Sequence, residues 1–471
     1  MKIVRKNELR FRFILFIAFV LLVTGCAAST KLTARYAPDE VTLALTGRLV
    51  IGIGNQVLEQ QQVLLAGERI VCVGSVKQCP LPDGVPHIDA GDGTMLPGLI
   101  DLHVHLRAHY LDWFLAAGVT SVRDANNAMS QIETLLAVEK RPRLFWTGPL
   151  LDGSNTVMRH FGADGVVKPG AEQQHTAWTL DVATAAEAEQ AVRWLASQGA
   201  SFVKLYEQLE PEVYQAAATE ARAQGMRIMT DLGMHNTRGL TAAKVDALQA
   251  ITAGVHTIEH ASGYALAYQR LGGDPNRLPF DEALIEQLAQ ATVRAGVAIV
   301  PTLSVSYSFA DDVDQIDDLP AARQLKANQE MFNWYQQTAQ GRAGHNESSR
   351  LSHLLAATVV KRVHRLGGII GAGSDAPAGV WNLPGGGIHR ELELLVRHGL
   401  TPIEALETAT RTAADILGRQ DLGRITEGAL ADIIIVAGNP VLDIKQSRQL
   451  SWVIKNGVIV KAPAFAESPE E

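Results

Sequence analysis

The chain of 471 residues has little cysteine, only Cys26, Cys72 and Cys79, and few aromatic residues, at 6%. Three cysteines are too few for a zinc ribbon or a cysteine-stapled scaffold, so a metal would have to be held by histidines and carboxylates. Fourteen histidines are present for that task. Basic charge is also in deficit. The net charge of −8 argues against a broad face for nucleic acid. The apolar run Phe13 to Val23 is too short to span a bilayer stably. No repeat of roughly 20–50 residues is evident. What is there is 47% apolar residues with 41 glycines and 19 prolines, the balance of a globular protein. The length excludes one ordinary domain and calls for a large barrel, several domains, or both.

The N-terminus reads as an address. Lys2, Arg5, Lys6, Arg10 and Arg12 precede the apolar run, which ends Leu22-Val23-Thr24-Gly25-Cys26. That ending resembles the bacterial lipoprotein cleavage box, small residues followed by a cysteine that becomes lipidated and N-terminal. An ordinary signal peptide that contains a cysteine is the alternative. The resemblance implies a signal peptide over 1–25, a lipid on Cys26 and a polar tether over 26–40. It also implies an exported protein anchored to a membrane. Ala27, in place of an acidic residue, points to the periplasmic side of the outer membrane where the host has one. Residues 1–25 carry a net +4, which turns the overall −8 into −12 for the remainder. Cys72 and Cys79 flank the Gly74-Ser75 turn signal and read either as a small disulfide loop or as two separate thiols.

Two patterns follow along the chain. From 41 to 97 the text is strand-like, with runs Val41 to Val50, Gln62 to Val73 and His87 to Leu96. From 98 to 418 short β-branched runs alternate with Ala-rich helical stretches. The runs are Leu99–His103, Val119–Arg123, Arg143–Thr147, Ser201–Leu205, Arg227–Asp231, Thr257–His260, Ala298–Pro301 and Gly368–Gly373. Eight runs separated by helices predict an α/β fold of the (β/α)8 TIM barrel type. Strands return over 419–462, with Asn456-Gly457 as a turn, and read as the second half of the opening β region. A composite β-sandwich built from both chain ends, with a tail over 463–471, completes the organisation.

The chemistry sits at the ends of the runs. In Pro97-Gly98-Leu99-Ile100-Asp101-Leu102-His103-Val104-His105 the two imidazoles are two residues apart on a strand and face the same way. At the C-terminal end of a barrel strand they point into the mouth and make a natural pair for zinc. Lys204 lies inside the apolar run Phe202-Val203-Lys204-Leu205-Tyr206, where an unpaired ammonium is costly. A neutral lysine amine can take up CO2 as a carbamate, an anionic metal bridge; a buried lysine paired with an acid is the alternative. His260 ends one run and Asp375 ends the last, Gly371-Ala372-Gly373-Ser374-Asp375, where an acid can shuttle protons.

These motifs resemble the amidohydrolase superfamily, and within it the branch related to imidazolonepropionases and Xaa-Pro dipeptidases. The similarity runs from about 43 to 461. It includes Leu96 to His105, Gly118 to Asp124, Thr257 to His260, His389 to Leu395, Leu400 to Leu406 and Glu427 to Ile433. It implies His103 and His105 on one metal, Lys204 as carboxylated bridge, His260 on a second metal and Asp375 as shared ligand and proton shuttle. Two zinc ions are the implied cofactor. The family normally has a histidine ending the fifth strand, and the matching position holds Asp231. Asp231 can ligate through oxygen, His235 can reach back from the following loop, or the second site is weak or empty.

The expected function is metal-dependent hydrolysis of an amide or peptide bond in a dipeptide, an N-acyl amino acid or a cyclic amide. A metal-activated water attacks the carbonyl, and Asp375 carries its proton to the leaving amine. Tyr206 and His160 are candidates for holding the substrate. A deaminase of the same superfamily is the runner-up, against which Lys204 counts, and a non-catalytic ligand-binding lipoprotein is the third reading. No nucleic acid is expected as partner, and a homo-oligomer is compatible. Arg123 and Asp124 read as a structural ion pair, His389 as a residue that shapes the site, and the acidic stretch 311–318 as a solvated loop.

Overall fold

The computed structural model describes residues 36–52, 54, 56–233, 243–310, 319–341, 347–379 and 382–462. The signal segment, Cys26 and most of the tether, His235, the acidic stretch 311–318 and the tail over 463–471 lie outside the described residues. Among the described residues no helix is long and apolar enough to cross a membrane.

The chain opens with β1 (Leu43–Val50), β2 (Val57–Ala66), β3 (Arg69–Gly74) and β4 (His87–Pro97). The barrel region contributes β5 (Leu99–Val104), β6 (Val119–Asp124), β7 (Arg143–Trp146), β8 (Leu150–Asp152) and β9 (Val166–Val167). It continues with β10 (Thr179–Asp181), β11 (Phe202–Leu205), β12 (Arg227–Thr230), β13 (Thr257–Glu259) and β14 (Ala298–Val300). The chain closes with β15 (Ile433–Val436), β16 (Leu450–Lys455) and β17 (Val458–Lys461).

The two chain ends meet as expected, in one hydrogen-bonded sheet of order β17-β16-β15-β4-β1-β2-β3. The expected run Gln62 to Val73 is two strands, because Gly67, at φ +53°, turns the chain back between β2 and β3. The join between the ends is β4 against β15, antiparallel, with Ile433 opposite Pro97 and Ile435 opposite Met95. Strand alternation gives β15 two jobs. Ile433 and Ile435 enter the core of the β domain with Leu45, Val63 and Met95. Ile434 and Val436 face the barrel's core. Each fully buried side chain of this size contributes roughly 1.5–3 kcal/mol. Cys72 and Cys79 are joined as a disulfide within this domain, which decides between the two sequence readings.

In the barrel wall, β5, β6 and β7 pair in parallel, and β14-β13-β12-β11-β8-β10-β9 form a second sheet. The third expected run is longer than it reads. Its first part, β7, pairs with β6, and its continuation, β8, pairs with β11, so the covalent chain carries the wall across. The eighth run forms only isolated bridges, Ile370 to Ile299 and Ala376 to Val104, and the paired wall is not a closed ring. This run is glycine-rich for a steric reason. A Cβ on Gly371 would stand 2.5 Å from Leu102 Cδ1, and one on Gly373 would stand 3.0 Å from His103 Cβ.

His389 does not shape the mouth. It is fully buried in helix Gly386–Arg397, where one ring nitrogen meets Ala117 O at 2.9 Å and the other meets Ser447 Oγ at 2.9 Å. It therefore ties the barrel to the C-terminal 3-10 turn Ile444–Arg448. Burial, with Arg448 and Lys461 nearby, pushes its pKa down to about 4 although the bond to Ala117 opposes this. The unfolded chain takes up that proton near pH 6.5 and the folded chain only near 4. Stability from this group is therefore full above 6.5 and lost as pH falls toward 4, by about 3 kcal/mol. His389→Gln should remove one proton of uptake from the pH dependence of the urea midpoint between pH 6.5 and 4.

Candidate metal centre at the barrel mouth

Six of the residues singled out by sequence converge at the C-terminal ends of the wall strands. His103 lies one residue from the end of β5, and His105 just past the strand on the same face, with ring centroids 5.6 Å apart. Lys204 is inside β11; Asp231 follows β12 and His260 follows β13. Asp375 ends the glycine-rich eighth run. Its Oδ1 lies 3.4 Å from His103 Nε2 and 3.0 Å from His105 Nε2. These three side chains present ligand atoms all within 4.8 Å of one another. Beside them, Asp231 Oδ2 stands 3.8 Å from Lys204 Nζ and 3.4 Å from His260 Nε2. The rings of His103 and His260, 4.5 Å apart, join the two groups.

The backbone bends to achieve this. His260, Ala261, Thr302 and Asp375 all adopt positive φ, between 44° and 59°. Non-glycine residues in that region cost of order 1–3 kcal/mol each. His260 follows directly on β13, and Asp375 closes the eighth run, where such a turn swings the side chain into the mouth. His260 N and Asp375 N still bond across the wall, to Val300 O and His103 O.

Two of the three imidazoles, His103 and His260, are held through Nδ1 so that Nε2 faces the cluster. His103 Nδ1 donates to Glu259 Oε2 at 2.7 Å, and His260 Nδ1 meets Thr302 Oγ1 at 2.6 Å. Donation from His103 Nδ1 to the Glu259 carboxylate fixes its tautomer and leaves Nε2 as a lone-pair ligand. Burial, with Lys204, His260 and His105 nearby, holds His103 well below the ordinary histidine range, which keeps it neutral. For His260 burial acts in the same direction, but Asp231 and Asp375 outweigh it and raise its pKa. Burial would raise Asp375, yet His260, His105 and Lys204 together hold it below the ordinary carboxylate range.

Whether a divalent ion suits this cluster can be asked of its buried polar atoms. His103 Nε2 is buried with no hydrogen bond among the described residues, and it faces Asp375 Oδ1, whose other neighbour is His105 Nε2 at 3.0 Å. A buried polar atom left unsatisfied costs about 1–3 kcal/mol, and a lone imidazole nitrogen facing a carboxylate oxygen fits a cation between them. The donor set of imidazoles and carboxylates is the set that zinc-like ions take. The residues fit the group.

Some expectations are corrected. Arg123 and Asp124 do not pair with each other. Arg123 Nη2 donates to Glu259 Oε1 at 2.8 Å and its Nε to Leu102 O at 2.6 Å. Asp124 instead accepts from Leu106 N at 2.8 Å and from Asn127 Nδ2 at 2.7 Å. Sequence reading gave Glu259 no role, yet it stands between Arg123 and His103. Asp101 was likewise passed over. It accepts from Ser374 N at 2.9 Å and Ser374 Oγ at 2.6 Å, which holds the residue before Asp375. Tyr206 is buried, with its ring 5.3 Å from Lys204 Nζ. His160 is exposed on the 3-10 turn Val157–Phe161, and no hydrogen bond or ion pair among the described residues joins it to the cluster.

The model of the amidohydrolase family matches residues 94–460. Ochratoxinase of Aspergillus niger is 36% identical over 110 residues, 22% of this chain and 23% of that protein, so the chain matches under a quarter of this curated relative's length. The crystal structure of A. niger ochratoxinase superposes with a TM-score of 0.65 at 20% identity, covering 92% of this chain and 99% of that one. A crystal structure of a Xaa-Pro dipeptidase with bound methionine in its active site gives a TM-score of 0.64 at 20% identity, over 89% and 100% of the two chains. With a family model spanning the barrel and the returning strands, and a carboxylate–imidazole cluster at the barrel mouth, the chain belongs to the amidohydrolase family.

Proposed function

We propose that the protein is a metal-dependent hydrolase that cleaves an amide or peptide bond in a small substrate, a dipeptide or an N-acyl amino acid. The observation that carries this reading is the convergence of three ligand atoms, with Asp375 Oδ1 at 3.4 Å from His103 Nε2, which has no hydrogen bond among the described residues, and at 3.0 Å from His105 Nε2. His103, His105 and Asp375 would hold one divalent ion; His260, Asp231 and a carboxylated Lys204 would hold a second, with zinc the expected metal. Bound there, such ions supply Lewis-acid polarisation of a carbonyl and lower the pKa of water.

The chain's own residues supply the rest. Asp375 has one oxygen in the cluster and is poised to accept a proton from water and release it to the leaving amine. Glu259, itself held by Arg123, keeps His103 in the tautomer that leaves Nε2 unprotonated. The Tyr206 ring shelters Lys204 from solvent. The deaminase reading needs no lysine at position 204, so that buried residue favours the hydrolase. Asp231 in place of a histidine adds an anionic donor, which reduces the positive charge of a loaded site.

A second reading rests on the 3.8 Å approach of Lys204 to Asp231. In it Lys204 keeps its ammonium, Asp231 neutralises it, and one ion is held by His103, His105 and Asp375 alone. The lipid anchor on Cys26 and the periplasmic address remain part of the proposal, supported by the Leu22 to Cys26 sequence. Turnover tests the activity. Zinc-loaded protein assayed on a set of dipeptides and N-acyl amino acids should release free amine. Dialysis against a chelator should reduce the rate by more than about 10²-fold, and added zinc should restore it. A rate unaffected by chelation would refute the metal dependence.

A further inference from the structure

A cavity of about 570 Å³ opens against His105, the most exposed member of the cluster. One wall is the chain just past β5, including Arg107; the other is helix Gln329–Gly341, which presents Met331 and Trp334, and Pro377 also lines the cavity. Trp334 is 44% exposed, so its ring face is open to the cavity. Its position is fixed by its neighbour. Tyr335 is buried, and its hydroxyl donates to Asn382 O at 2.7 Å and Pro377 O at 3.3 Å, pinning the helix to the segment that follows Asp375. Arg107 is oriented as well. Its Nη1 donates to Leu106 O at 2.6 Å and to Asn127 Oδ1 at 2.7 Å. Among the described residues no carboxylate lies within ion-pair distance of it, so the rest of the guanidinium is available to an anion.

Resting on the hydrolase reading above, we infer that this cavity seats the amino-acid unit flanking the scissile amide. An aromatic or bulky aliphatic side chain lies against Trp334 and Met331, and the unit's free carboxylate meets Arg107. The chemistry of the walls supports both halves. An aromatic platform with a thioether beside it gains from covering apolar area, and a pre-oriented guanidinium recognises a carboxylate. Glu330, exposed on the same rim, disfavours a substrate with a second carboxylate on its side chain.

The test compares N-acetylphenylalanine with N-acetylalanine and with N-acetylphenylalanine amide. Wild type should favour the phenylalanine compound over the alanine compound by about 30-fold in kcat/KM. In Trp334→Ala the ratio should fall to within about threefold of unity, and in Trp334→Phe most of it should return. Arg107→Met should raise KM for N-acetylphenylalanine about tenfold or more and leave KM for its amide-capped counterpart little changed. Equal use of the phenylalanine and alanine compounds by wild type, or a ratio unmoved by Trp334→Ala, would overturn the inference and leave the hydrolase reading standing. Binding separates the two. If zinc-loaded wild type cleaves neither these compounds nor the dipeptides, the hydrolase reading falls. Metal-free wild type that still binds N-acetylphenylalanine by calorimetry, with binding lost in Trp334→Ala, would then support the cavity's role. Absence of that binding would overturn it.

Discussion

Asp375→Asn is expected to lower kcat/KM by about 10³-fold, within the range by which a positioned acid or base accelerates proton transfer. Asparagine is the informative replacement. It keeps the shape of the side chain and tolerates the positive φ of 58° that this position requires. What it loses is the negative charge between His103 and His105 and the capacity to carry a proton. Backbone bonds such as Asp375 N to His103 O are unaffected, so the thermal midpoint should change little. Steady-state kinetics at saturating zinc check this. A variant within tenfold of wild type would remove Asp375 from the proton path.

Glu259→Gln carries the second large effect, on two separate readouts. Glu259 is buried between Arg123 Nη2 and His103 Nδ1, at 2.8 Å and 2.7 Å. Loss of its charge leaves the fully buried Arg123 without compensation, which should destabilise the fold by about 3–5 kcal/mol. It also withdraws the anionic acceptor that orients His103, which should weaken zinc binding by about 10–100-fold. The double variant Arg123→Met with Glu259→Gln separates the effects. Stability should largely return once the buried charge is gone, whereas zinc affinity should stay low. Recovery of both together would mean that Glu259 acts on the metal centre only through the fold.

Much of this was legible before any coordinates. The strand residues His103 and His105 share a face because strand side chains alternate, and Lys204 stands out because an ammonium in an apolar run needs an explanation. The β15 run was legible too, since a stretch of isoleucines buried on both sides leaves little choice but strand. What escaped has physical causes. Glu259 sits inside the quoted run Thr257 to His260, but nothing in one sequence says that Arg123, far away along the chain, points at it. The need of a ligating histidine for a partner at Nδ1 was the available signal. β8, β9 and β10 are two or three residues long, too short for periodicity to register. Glycines before the helix also left His389 open as a residue shaping the mouth, and its two hydrogen bonds, to Ala117 and Ser447, lead away from it. Arg123 and Asp124 are adjacent in sequence and therefore point to opposite faces of β6, which excludes the pair they were expected to form.

The central claim, that the six residues from His103 to Asp375 form one divalent-metal centre, is tested most directly by metal stoichiometry. Protein dialysed against excess zinc and bicarbonate, then freed of unbound ion, should hold two zinc ions per chain by elemental analysis. Lys204→Ala should lose at least one of them and Asp375→Ala at least one. One ion per chain, unchanged in Lys204→Ala, would select the reading in which Lys204 keeps its ammonium. Wild-type protein that holds no zinc under these conditions would contradict the account.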